Sequence, residues 1–339
     1  MTKHVLPFEK EIYQLEDCLA QLESRGQGEM GEDIRRVRRE LVALKKQIYN
    51  NLNPWQTIQV ARHPDRPHTV DYLNLIFSDF VELHGDRAIG DDRALRTGFA
   101  RLGDHRVMVI GQEKGRTLAE RTACFYGCPH PEGYRKALRC LRLAAKFRVP
   151  VICLIDTPGA FPGIGAEERG QAQLIATNLL EMSRTPTPII CVVIGEGGSG
   201  GALGIGIGDR VSMLEHAYYS VISPEGCAGI LWKEANDETK PLAAEALKLT
   251  SRHLLRLAVI DEVIPEPLGG AHRDHREMAN SLKSYLVRYI RELRPLSIEE
   301  LLEQRYQKFR RMGVFLTVAE EAGEGEAPEP EAVPLRDNQ

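Results

Sequence analysis

The 339 residues are 42% apolar and 27% charged, enough for a substantial core in one large α/β domain or two smaller ones. The formal net charge is −4, but seven acids against Arg336 after Val318 leave the rest of the chain near neutral; with no basic stripe, nothing proposes a nucleic-acid site. No apolar stretch approaches the ~18 residues of a membrane span; Met1-Thr2-Lys3-His4 lacks a signal-peptide core, and the odd count of seven cysteines fits reduced thiols, so a cytoplasmic protein with no membrane role is expected.

From Phe8 to about Leu52 the apolar residues recur at helical spacing. Ile12, Leu15, Leu19 and Leu22 make one stripe, and Ile34, Val37, Leu41, Leu44 and Ile48 another, with Gly26-Gln27-Gly28 between them. The pattern predicts a helical hairpin over residues 1–52, its stripes packed on the main body or on another subunit. A helix is predicted from about Val70 to Leu83. Thr97 to Leu102 and Arg106 to Gln112 alternate around Gly103-Asp104, a hairpin signature. Glu132 to Phe147 reads as a helix whose basic residues Arg135, Lys136, Arg139, Arg142 and Lys146 form a solvated face.

Two short apolar runs without alternation follow, Val149 to Ile155 and Ile189 to Ile194. They predict parallel strands covered on both faces. Each runs into a glycine-rich turn: Asp156-Thr157-Pro158-Gly159-Ala160-Phe161-Pro162-Gly163, then Gly195-Glu196-Gly197-Gly198-Ser199-Gly200-Gly201-Ala202. Glycine lets a ligand oxygen approach the backbone N–H groups, and the free amides of a following helix point the same way. Such a pair of turns suits an anion or a developing oxyanion. A helix from Glu167 to Ser183 with Leu174, Ile175 and Leu179 inward separates them. Short strands at Arg210 to Leu214 and Tyr218 to Ile222, a helix at Pro241 to Lys248, and helices from Arg276 to about Arg311 close the body. The stretch from residue 312, rich in Glu, Pro and Gly, is expected to be a disordered acidic tail.

Three other chemistries compete for these motifs. Asp156-Thr157-Pro158-Gly159 spells a nucleotide-sensing loop, but no G-x-x-x-x-G-K-[ST] precedes it; Gly111 to Arg116 comes nearest, with the wrong spacing. Gly197-Gly198-Ser199-Gly200-Gly201 satisfies the G-x-S-x-G nucleophile elbow. Its acid and base would come from Asp209 or Asp261 and from His216, His253, His272 or His275, and no pair is singled out. Cys124, Cys128 and His130 offer three ligands where structural zinc wants four, so no metal site is assigned to this chain.

Ile155 to Gln171 (IDTPGAFPGIGAEERGQ), Pro131 to Arg139 (PEGYRKALR), Ile194 to Asp209 (IGEGGSGGALGIGIGD) and Ser220 to Lys233 (SVISPEGCAGILWK) closely resemble the alpha subunits of bacterial acetyl-CoA carboxylase carboxyltransferase. The resemblance implies an α/β fold, a crotonase-like spiral of ββα units with an N-terminal helical hairpin and C-terminal helices. The carboxyltransferase domain would span 53–311, its family portion about 34–294. It implies an α2β2 heterotetramer with a beta subunit that carries the zinc. Biotin would ride on a separate biotin carboxyl carrier protein, charged by biotin carboxylase. The reaction implied is carboxyl transfer from carboxybiotin to acetyl-CoA, giving malonyl-CoA for fatty acid biosynthesis. Carried onto this sequence, the oxyanion hole falls on Gly200 and Gly201, with Gly159, Ala160, Gly163, Gly198 and Ser199 as substrate-binding neighbours. Between Gly115 and Pro129 the chain departs from the family, showing Cys124-Phe125-Tyr126-Gly127-Cys128 where an Asn-Phe-Gly-Met is usual. No CoA phosphate contact is therefore carried over from that segment. A retained fold serving only as a scaffold is the rival from a different class.

Overall fold

The computed structural model describes residues 4–24 and 31–313. The Gly26-Gln27-Gly28 turn and the acidic tail lie outside the described residues. Among the described residues, eight strands form one mixed sheet: β1 (Ser78–Glu82), β2 (Leu95–Leu102), β3 (His105–Gln112), β4 (Val151–Thr157), β5 (Ile189–Gly198), β6 (Arg210–Leu214), β7 (Tyr218–Ser220) and β8 (Glu262–Ile264). The order is β1-β2-β3-β4-β5-β6-β8, with β7 also on β5. The β2–β3 hairpin is antiparallel, as its alternation predicts, and β3 through β6 run parallel. Every residue of β4 and β5 is buried, which is what strands covered on both faces require.

The long strand β5 changes partner along its length. Ile190 to Val193 pair with β6, whereas Glu196 to Gly198 pair with β7. The sheet therefore splits where the second glycine run begins, giving the layered spiral expected of the fold. It also keeps the chain extended through Gly198, four residues further than the apolar run implies. Only then does the helix Ser199–Leu203 begin, and it lasts little more than one turn.

Three further expectations are corrected. The predicted helix at 70–83 is a helix over Thr69–Ile76 followed by the edge strand β1. The Glu167 to Ser183 segment is two helices, Ile164–Glu168 and Gln171–Arg184, broken at Gly170, whose φ of 83° is left-handed. Its inward face carries Gln171, Asn178 and Met182, while Leu174, Ile175 and Leu179 are only half-buried. The basic face of the helix Pro131–Phe147 is not all solvated. Lys136 is 1% exposed and donates to Asp91 Oδ1 and the Asp92 carbonyl, and Arg135 pairs with Asp86. Arg139 donates to the Gly85 and His84 carbonyls. Those residues clamp the 84–92 loop, and only Arg142 and Lys146 face water.

The hairpin helices Lys10–Ser24 and Gly31–Asn50 pack their stripes on each other and on Val60 of the body. Arg273 seals the contact by donating to Glu9 at 2.8 Å and Glu16 at 3.2 Å. At the other end, the helix Ile298–Arg310 buries Arg305 completely. Its guanidinium meets both Asp209 oxygens at 2.8 Å and the Met182, Thr185 and Thr187 carbonyls.

Candidate active site

The two glycine turns leave the carboxyl ends of adjacent parallel strands, the position where open α/β sheets build ligand sites. They are in backbone contact. A Cβ on Gly198 would lie 2.1 Å from the Pro158 carbonyl oxygen, and one on Gly201 would lie 2.4 Å from Ala160 N and the Gly159 carbonyl carbon. Neither position has room for a side chain. Gly200 differs, since a Cβ there would meet only Ile175 methyl groups at 3.6 and 4.0 Å. Gly159 and Ala160 are thus beside Gly201, and Gly198 beside Pro158. Gly163 sits further along the loop as the N-cap of Ile164–Glu168, against its own loop's Phe161 ring.

Thr157 ties the first turn together. Its hydroxyl bonds the Gly127 and Gly159 carbonyls at 2.6 and 2.8 Å and lies 3.1 Å from Gly159 N–H. The divergent 115–129 segment is thereby held against the same loop. Phe125 and Tyr126 both adopt left-handed backbone, φ 48° and 55°. The Phe125 ring packs on His130, centroids 4.0 Å apart, and His130 stacks on Phe161 at 4.1 Å. His130 is therefore an aromatic wall, and Cys124 Sγ donates to the Arg93 carbonyl instead of converging with Cys128 on a metal.

Ser199 is exposed, with a left-handed φ of 51°, and borders an apolar hollow of about 280 Å³ beside Leu203, Val221 and Phe309. The strain resembles an elbow, but the relay is missing. His253 contacts Thr250, His275 contacts the Asp65 carbonyl, the buried His216 ring lies in the field of Glu266, and His272 faces Glu9. Asp209 is held by Arg305 and Asp261 by Lys308. None of the histidines considered pairs with the serine, which removes the hydrolase reading.

A charged cluster that the sequence reading missed lies behind the turns. Lys114 Nζ bridges Asp156 Oδ1 at 2.6 Å and Glu196 Oε1 at 2.7 Å. Arg62 donates to the other Glu196 oxygen and to Glu225, and Tyr218 also donates to Glu196. Burial pushes the Glu196 carboxyl up, but Lys114 and Arg62 outweigh it and hold the pKa at about 2. Burial likewise lowers Lys114, and its two carboxylates raise it above the usual lysine range. This cluster lines a cavity of about 190 Å³ with His68 and Tyr126 at its margin. Asp156 also accepts the Glu196 N–H at 2.9 Å, so its carboxylate is a structural brace rather than a magnesium ligand. The only signal available was a Lys and two acids each placed just past an apolar run, and nothing in the spacing paired them.

Glu9, His63 and His272 also bring ligand atoms together. The two imidazoles are stacked with centroids 3.9 Å apart and planes at 17°, so no ion could lie in both ring planes. Glu9 is already taken by Tyr49 and Arg273.

The two turns meet through their backbones at Gly198 and Gly201. The family model described as acetyl co-enzyme A carboxylase carboxyltransferase-like matches residues 5–313. The chain is 62% identical over 313 residues to the acetyl-coenzyme A carboxylase carboxyl transferase subunit alpha of Rhodopirellula baltica, covering 92% of this chain and 98% of that one. It is 53% identical over 316 residues to that of Geobacter metallireducens, covering 93% and 99%. Among solved structures, transcarboxylase 12S superposes with a TM-score of 0.52 at 23% identity, over 66% of this chain and 42% of that one. A Pseudomonas malonate decarboxylase hetero-tetramer gives 0.52 at 16%, over 66% and 91%. Those two likenesses establish the crotonase-like fold, and the sequence relatives establish more: the chain belongs to the family of acetyl-coenzyme A carboxylase carboxyltransferase alpha subunits.

Proposed function

We propose that this carboxyltransferase component makes malonyl-CoA by using the Gly200 and Gly201 amides as an oxyanion hole. The supporting observation is the contact of the two turns, which leaves Gly200 approachable while packing Gly198 and Gly201 against the first turn. In a helix the first four N–H groups lack intrahelical acceptors, so the opening turn of Ser199–Leu203 leaves amides for a ligand oxygen.

Carboxylated biotin, arriving on its carrier protein, is a substrate here rather than a resident group. The turns suit it: Phe161, His130 and Phe125 offer flat ring surface beside them, and the amides offer donors to a ureido oxygen. Biotin supplies the nitrogen that carries the carboxyl group. Gly200 and Gly201 hold the charge that develops on the ureido oxygen, and the packed glycine turns fix where that oxygen sits. Gly159, Ala160, Gly163, Gly198 and Ser199 form the surroundings of that site, and none of them acts as nucleophile or base. The methyl proton of acetyl-CoA is taken by the substrate's own ring nitrogen, so no protein base is required.

The remaining parts of this reading are an α2β2 assembly, acetyl-CoA held mainly by the beta chain, and zinc on that chain alone. It also includes a 53–311 catalytic domain preceded by the 1–52 hairpin. The test is malonyl-CoA-dependent carboxylation of biocytin by this chain alone and co-expressed with a beta subunit. Activity only in the complex is expected. A well-formed complex without activity would overturn the reading and favour a scaffold.

A further inference from the structure

The five-residue helix that carries the proposed oxyanion hole cannot orient itself. One turn has too few hydrogen bonds to be stable alone, so its direction is set by what holds it. Its inner end shows how. In a continuing helix the Gly201 carbonyl would accept the Ile205 N–H, but the chain turns and Ile205 donates to Ala202 instead. The Gly201 carbonyl is left without a helical partner. Two buried side chains take it: Gln112 Nε2 donates at 2.8 Å and the Tyr134 hydroxyl at 3.1 Å. Both residues are wholly buried.

Gln112 does more than fill a lone pair. Its Oε1 accepts the Asp156 N–H at 3.0 Å, at the start of the first glycine turn. One amide therefore spans the two turns and fixes their separation. Its orientation is dictated by its partners, because a flipped amide would set oxygen against oxygen and N–H against N–H. Tyr134 is fixed in turn by Asn178, whose Nδ2 donates to the Tyr134 carbonyl and to the Gly204 carbonyl where the helix ends.

We propose that Gln112, seconded by Tyr134, is the positioning residue of the transfer reaction: by pinning the Gly201 carbonyl it aims the Gly200 and Gly201 amides at the ureido oxygen. Peptide dipoles in a helix are nearly parallel, so fixing the Gly201 carbonyl fixes the direction of the amides in the same turn. Neither side chain touches substrate. The inference rests on the oxyanion-hole reading and adds the device that sets its geometry.

The test uses the assembled complex with the beta subunit, assayed in the biocytin direction, with kcat expressed per assembled complex. Gln112→Met, close in size and unable to bond either turn, is expected to lower kcat about 10²-fold, the scale of a small misplacement at a reacting centre. KM for malonyl-CoA should stay within about twofold, because the thioester substrate binds elsewhere. Tyr134→Phe leaves Gln112 in place and should cost kcat about three- to tenfold. Tyr134→Phe also stands in should the Met variant fail to fold. A lowered melting temperature with wild-type kcat per complex in Gln112→Met, or in Tyr134→Phe where the Met variant does not assemble, would mean a merely structural bond and would overturn the proposal. Gly200→Val serves as the separate control: if that variant turns over normally, the oxyanion-hole reading itself falls, whatever Gln112 does.

Discussion

Gly198 and Pro158 touch through their backbones, with space of only 2.1 Å between a would-be Gly198 Cβ and the Pro158 carbonyl oxygen. The contact separates substitutions that sequence reasoning treats alike. Gly198→Ala and Gly201→Ala must push the two turns' backbones apart and should cost more than about 3 kcal/mol, beyond ordinary overpacking. Gly200→Ala meets only Ile175 methyls and should stay within about 1 kcal/mol of wild type. Loss of activity at Gly201 would therefore report the fold, whereas a loss at Gly200 with stability kept would report the site. Thermal unfolding of the three variants checks the order; equal destabilisation would contradict the packing.

Ser199 gives the second prediction. Its exposed side chain and left-handed φ make it a turn residue. Ser199→Ala should keep turnover within about tenfold, against the 10²–10³ expected for a lost oxyanion donor. Ser199→Gly should be neutral to slightly stabilising, because the backbone strain it relieves offsets the added freedom of the unfolded chain. Steady-state kinetics on the assembled complex decide it. A loss beyond about 10³-fold in Ser199→Ala, with fold and assembly intact, would restore a nucleophilic role.

The glycine turns were legible because their cause is local: a fully apolar run ends and glycine follows, and both facts sit within a dozen residues. The β2–β3 hairpin was legible for the same reason. The charged and polar framework was not. Lys114 meets Glu196 across 82 positions and Gln112 meets Gly201 across 89. Lys136 looked solvated because helical periodicity shows which residues share a face but not that a loop covers it. The end of the 70–83 helix was misplaced because Phe77 to Glu82 is too short to show a period, and pairing with β2 decided it. Family resemblance supplied the reaction, whereas only the fold could show that Gly198 and Gly201 differ from Gly200.

Arg305 supplies a prediction of stability alone. It closes the last helix on Asp209 and three carbonyls, all buried, using its whole fork of donors. Removing one member of a buried pair leaves the other charge uncompensated, at a cost of about 3–5 kcal/mol. Arg305→Met should show that loss, and Arg305→Lys should recover less than half, because an ammonium cannot reach the carboxylate and the carbonyls together. Denaturant unfolding of both variants measures it. Full recovery by lysine would mean that charge, not the fork, holds the helix.

His63 gives the pH prediction. Burial and the stacked His272 ring push its pKa from 6.5 down to about 4, although His4, Glu9 and Asp65 pull the other way. The folded chain thus holds a neutral imidazole that the unfolded chain protonates near 6.5. Below that pH the unfolded state binds more protons, so this contribution is complete above pH 6.5 and is lost as pH falls to about 4. A shift of that size is worth up to about 3 kcal/mol. Glu9, held at about 2 by its hydrogen bonds and Arg273 against burial, adds its own loss only below about pH 4.5. His63→Gln should be less stable at pH 7, since the stack and the bonds to His4 and Asp65 change. Its stability should also fall less steeply between pH 6.5 and 4.5. Equilibrium unfolding across that range compares the slopes, and parallel curves for the two proteins would show that His63 is not the group that titrates.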